Sequence, residues 1–159
     1  MKRLTIALAM VALLLCSNCN KYDSDRLAHQ VYEAASSIQF TKLDNYFVRN
    51  DVDCSKEQRL IIYNKTDFEN IFGMAAYMGG LPTEIDWNKQ CVMALILPET
   101  NRETTISPID VRQDGEKVVL CYHLEQAQET MSHTIVPFTA IAIEKPAGSQ
   151  PIKIFFLKD

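Results

Sequence analysis

The chain of 159 residues has only three histidines, one tryptophan, five glycines and six prolines, and its 16 Lys and Arg are outnumbered by 20 Asp and Glu. With so little Gly and Pro against 47% apolar residues, collagen-like, low-complexity and disordered architectures are excluded for the bulk of the chain. The Gly-Gly and Asp-Gly pairs at 79–80 and 114–115 stand alone as turn signals, with no glycine-rich phosphate cradle around them. His29, His123 and His133 are far apart, and none stands at ligand spacing with Cys, Asp or Glu, so no metal or cofactor is expected. Basic residues are few and scattered. That excludes the footprint needed to neutralise a nucleic-acid backbone, and it argues against electrostatic adsorption to anionic lipid. At this length one domain is expected, burying roughly two thirds of the surface its unfolded chain exposes.

What is present begins with an address. Lys2 and Arg3 precede an almost unbroken apolar run from Leu4 to Leu15, followed by Cys16, Ser17, Asn18 and Cys19. This is the layout of a secretory signal, and it is too short for a bilayer span of about twenty residues. A cysteine directly after the apolar run resembles the bacterial lipoprotein signal, in which that cysteine becomes the lipid-modified first residue. Cys19, which opens the polar stretch Asn20-Lys21-Tyr22-Asp23-Ser24, fits better than Cys16, which follows the bulky Leu15. Plain secretion with nearby cleavage is the alternative. The expected organisation is a signal over 1–18, a flexible tether over 19–24 and one β-rich domain over 25–159. Cleavage before Cys19 moves the net charge from −4 to −6, and the lipid is the one membrane contact expected.

Along the domain, Leu27, Val31, Ala34, Ala35 and Ile38 recur at helical spacing and predict a short N-terminal helix started by Ser24 or Asp25. Tyr46–Asp51 and Arg59–Tyr63 read as two edge strands. Thr66 and Glu69 form a capping box for a helix over about 66–77, with Phe68, Ile71, Phe72 and Ala75 on its apolar face. Strand-like runs follow at 91–97, 104–112, 117–124, 135–143 and 152–157, with Asp114-Gly115 marking a hairpin. Strands with short turns and no helical period between them predict an α+β, β-rich domain. Its sheet is expected to be a single antiparallel one, curled or closed into a barrel- or sandwich-like form.

Three pieces of this pattern resemble the PrcB-like C-terminal domain family. Thr66-Asp67-Phe68-Glu69-Asn70-Ile71-Phe72 corresponds to that family's capped helix, and Ile85-Asp86-Trp87-Asn88-Lys89 to its turn before the central strand. Thr134-Ile135-Val136-Pro137-Phe138 corresponds to its Thr-x-x-Pro-aromatic approach to a late strand. The resemblance spans about 59–156. It departs at Pro98–Thr105, which lacks the glycine-bearing loop common in the family, so contacts made there by relatives do not transfer. The resemblance implies a non-enzymatic lipoprotein that binds another envelope protein, a peptidase among the candidates.

No catalytic constellation is legible. Ser132 and His133 are neighbours in sequence and so do not face each other as nucleophile and base. Cys54, Cys91 and Cys121 are an odd set in a disulfide-permissive compartment, so at most one pair closes, and Cys54 with Cys91 is the pair considered. Partner-binding residues are expected on two exposed loops, Asn101, Arg102 and Glu103 on Pro98–Thr105, and Met131 and His133 on Glu125–His133. Met74, Tyr77 and Met78 are read as core. The leading expectation is a lipid-anchored binding module without chemistry of its own. The alternative is a peptidase inhibitor acting through its loops, although Asn101-Arg102-Glu103 lacks the Gly/Pro-rich character of a rigid inhibitory apex.

Overall fold

The computed structural model describes residues 19–75, 80–145 and 152–159, with side chains described from Ser24 onward. The signal with Cys16, the pair Tyr77 and Met78, Gly79 and the turn at 146–149 lie outside the described residues. The chain order is α1 (Cys19–Ala34), β1 (Ser36–Ser37), β2 (Phe40–Lys42), β3 (Tyr46–Val48), β4 (Gln58–Ile62), α2 (Lys65–Ile71), β5 (Phe72–Met74), β6 (Gln90–Ile96), β7 (Thr100–Asp114), β8 (Lys117–Ile135), β9 (Phe138–Glu144) and β10 (Lys153–Lys158).

These strands form two four-stranded sheets, β1-β7-β8-β10 and β2-β9-β6-β4, and a two-stranded ribbon β3-β5. The domain is β-rich and broadly α+β, but its strands make several sheets, none closed into a barrel, where a single sheet was expected. The periodicity of β6 explains the layering. Cys91, Met93 and Leu95 face the first sheet, packing with Val111, Val118, Leu120 and Phe156. Val92, Ala94 and Ile96 face the other way, onto Leu43, Phe68 and Phe72. A strand buried on both faces has no polar side to show, so it reads as one continuous apolar run. The outer face of the first sheet, at Val119 and Leu157, is covered by Ala28 and Val31 of α1.

Several sequence expectations are corrected. The stretch 19–24, expected as a tether, is the first part of α1, and it contains no Gly or Pro to stop a helix. The helix ends at Ala34, so Ile38 is extended and donates its N–H to the Val111 carbonyl at 2.8 Å. Leu27 is exposed, and the packed stripe is Ala28, Val31 and Ala35. The capping residue of α2 is Asn64, not Thr66. Its side chain accepts from the Asp67 N–H at 2.9 Å and donates to the Asp67 carboxylate at 2.7 Å. This helix stops at Ile71, because Phe72–Met74 pairs with Tyr46–Val48 as β5. Met74, on that ribbon, is exposed and not core.

The last strand breaks the antiparallel rule. β10 runs parallel to β8, Lys153 opposite Lys117 through Lys158 opposite Tyr122. The hairpin at 114–117 stands where it was expected, with Gly115 at φ +56° in a two-residue turn. Asn45 is the one non-glycine with positive φ among the described residues. Its carbonyl accepts from Ala75 N–H and its side chain donates to the Leu81 carbonyl, which fixes the end of the β3-β5 ribbon.

Candidate functional site

The two sheets are joined by one continuous ribbon. β6 and β9 pair out to Ile96 opposite Phe138, Leu97 N–H donates to the Pro137 carbonyl at 2.8 Å, and Thr100 then pairs with Ile135 as β7 and β8 begin to run together. Since β6 and β7 lie in facing sheets, this ribbon has to arch from one to the other. The arch is asymmetric. Four residue steps on β7, from Thr100 to Thr104, oppose nine on β8, from Gln126 to Ile135, through two register shifts. The surplus makes β8 the outer rim of the bend, as bulges do in a strongly curved ribbon.

All five residues expected on recognition loops sit on this arch, Asn101, Arg102 and Glu103 on β7 and Met131 and His133 on β8. They are on paired strands, not loops. The physical reason is composition: 99–107 and 117–136 contain no Gly or Pro, and Thr104 ties the strands by accepting from Gln126 Nε2 at 3.0 Å. Thr134 also donates to the Glu99 carboxylate across the foot of the arch. Asn101, Arg102, Glu103 and His133 are exposed, and Met131 is half-buried.

Beside the foot of the arch lies a cleft of about 500 Å³ lined by Val48, Arg49, Asp53, Cys54, Glu99 and Val136 among others. Arg49 is committed to Asp51, donating from Nε at 3.1 Å and from a terminal nitrogen at 3.3 Å, and this holds the Asp51 carboxyl below its ordinary range. Asp53 accepts from the Ser55 N–H at 3.0 Å and is lowered by that bond. Burial pushes the Cys54 thiol up, and the charges of Asp53 and Glu99 push it further. A thiol held protonated in this way is a poor nucleophile. No histidine lines the cleft.

The three cysteines are free. Cys54 and Cys91, the pair considered for a disulfide, belong to opposite ends of β6. The Cys54 carbonyl accepts from Glu99 N–H beyond the strand's end, whereas Cys91 stands near its start, about 20 Å away along the strand. Cys91 is completely buried, which pushes its thiol up to about 11. His123, on the solvent side of β8, has Glu125 at 3.6 Å and the Asp159 carboxylate at 3.7 Å on its two ring nitrogens. Among the described residues no group of three or more His, Cys, Asp or Glu could hold a metal ion.

A second polar cluster, missed from the sequence, fastens α1 to the first sheet. Asp110 accepts from Tyr32 Oη at 3.1 Å, Ser37 Oγ at 2.7 Å and Arg112 Nε at 2.8 Å. The Arg112 guanidinium also stacks 4.0 Å over the Tyr32 ring. Its members are 73 to 80 residues apart or separated by a strand's pleat, so no local spacing announces them. Comparison with protein-family models, with curated proteins and with solved structures finds no match to this chain. The resemblance described above therefore rests on its short motifs alone.

Proposed function

We propose that this chain is a lipid-anchored envelope protein that works by binding another envelope protein, a peptidase among the candidates, through the arch between its two sheets. The observation that carries this reading is the arch itself. It gathers Asn101, Arg102, Glu103, Met131 and His133 from segments some thirty residues apart onto one paired and mostly exposed ribbon. A surface held by strand pairing is pre-organised, which lowers the ordering cost of association. The cleft at its foot supplies a lowered Asp53, a raised Cys54 and an already-paired Arg49, a set suited to structure and not to nucleophilic chemistry.

The anchor follows from the sequence layout. A diacylglyceryl group from a glycerophospholipid donor replaces the hydrogen of the Cys19 thiol, the phosphorylated headgroup leaves with that proton, and hydrolysis of the Asn18–Cys19 peptide bond frees the modified residue. The membrane contact is the lipid alone, and neither cofactor nor nucleic acid takes part. The inhibitor reading is less well supported, because the arch is a bulged two-stranded ribbon and not a single rigid loop. The test is in-cell crosslinking of the full chain, mass spectrometry of what is captured, and a Cys19→Ala control. One reproducible partner, together with release of the control from the membrane fraction, is the expected result. A control that stays membrane-bound contradicts the anchor, and capture of no partner contradicts the binding reading.

A further inference from the structure

The arch carries an open sheet edge. β10 accompanies β8 only as far as Tyr122, where the Asp159 N–H donates to the Tyr122 carbonyl at 2.9 Å. From His123 to Ile135 the outer edge of β8 pairs with no described strand, so among the described residues its backbone groups on that side have no ladder partner. An unpaired edge is a template for another strand, and this one offers it in short segments separated by the register shifts between Gln126, Thr130 and Ile135.

The side chains along the edge say which strand. Glu125 and Glu129 stand on β8, with Glu103 on the adjoining strand and Asp159 just past the end of β10, four carboxylates against the cations Arg102 and Lys158. A second copy of this chain docked antiparallel on the same edge and centred on Ala127 would set Glu125 of each copy opposite Glu129 of the other, and like charges placed opposite each other destabilise a strand pair. A segment alternating Lys or Arg with small or apolar residues would meet complementary charges and continue the hydrogen-bond ladder. We infer that the outer edge of β8 from His123 to Ile135 takes up an extended basic segment of a protein partner by strand addition.

This inference rests on the arch being the binding surface and adds the chemistry of the partner. It is tested with the full chain and a ten-residue peptide alternating lysine with threonine and valine. The comparison peptides carry glutamate for lysine, or proline at every second position to remove its donors. Backbone amide exchange is read residue by residue. The expected result is slowing of edge amides between residues 124 and 134 with the lysine peptide alone. The doubly substituted Glu125→Gln, Glu129→Gln chain, which keeps every backbone group, should weaken binding roughly three- to tenfold. Equal binding of the glutamate peptide overturns the charge argument. Equal binding of the proline peptide, or slowing elsewhere in the domain, overturns strand addition. Should a cellular partner crosslink to the arch while no edge amide slows, the binding function stands and this inference falls.

Discussion

Asp110 shows how one side chain decides the attachment of an element. Burial pushes its carboxyl up, but the bonds from Arg112, Ser37 and Tyr32 outweigh that and leave it below the ordinary range. A carboxyl lowered by folding contributes stability that is present above its unfolded value of about 3.9 and is lost as pH falls through the folded value. Replacing Asp110 with Asn is therefore expected to cost about 1–3 kcal/mol at pH 7. Urea midpoints should show the gap between variant and parent narrowing at pH 3. The cysteines give a second test at this scale. With burial raising the thiols of Cys54, Cys91 and Cys121, native alkylation at pH 7.5 should be slow at Cys54 and absent at Cys91 until the chain unfolds. Peptide mapping after oxidation should find no Cys54–Cys91 link.

At the scale of elements, the hairpin offers the sharpest test. A Cβ on Gly115 would meet nothing within 4 Å, so Gly115→Ala pays only for its left-handed backbone, about 1 kcal/mol, read as a shifted denaturation midpoint. That turn was legible because Asp-Gly between apolar runs is a local signal. β6 was legible for the same reason, as a run of apolar residues buried on both faces. The elements misread were those settled by distant partners. Phe72 keeps the helical spacing of Phe68 yet lies in β5, because Val48 offers it a strand partner and Phe138 and Phe68 close over its ring. Residues 98–105 and 125–133 looked like loops since they are polar. A two-sided exposed ribbon has no apolar alternation to reveal it, and only the pairing of Thr104 with Gln126 and of Arg102 with Thr130 makes it one. The residues proposed here for recognition could thus be named one by one, while the arch that unites them could not.

At the scale of the molecule, α1 is part of the fold. It covers Val119 and Leu157 with Ala28 and Val31, and its backbone carbonyl at Tyr32 accepts from Arg112 at 3.2 Å. A chain beginning at Ala35 should lose on the order of 3 kcal/mol and melt at a lower temperature, since that apolar face of the first sheet would be left bare. On the proposed reading, α1 joins the lipid-modified Cys19 directly to the sheet that carries the arch, with a helix in the place where a loose tether was expected.

The central claim is that the arch is the surface at which this protein meets its partner. The direct measurement places a photo-crosslinking side chain, one position at a time, at Asn101, Gln128 and His133 on the arch, and at Lys56 and Glu116 away from it, in the membrane-anchored full chain. The account predicts one protein adduct, captured from all three arch positions and from neither control. Capture from Lys56 or Glu116 with silence from the arch would contradict it.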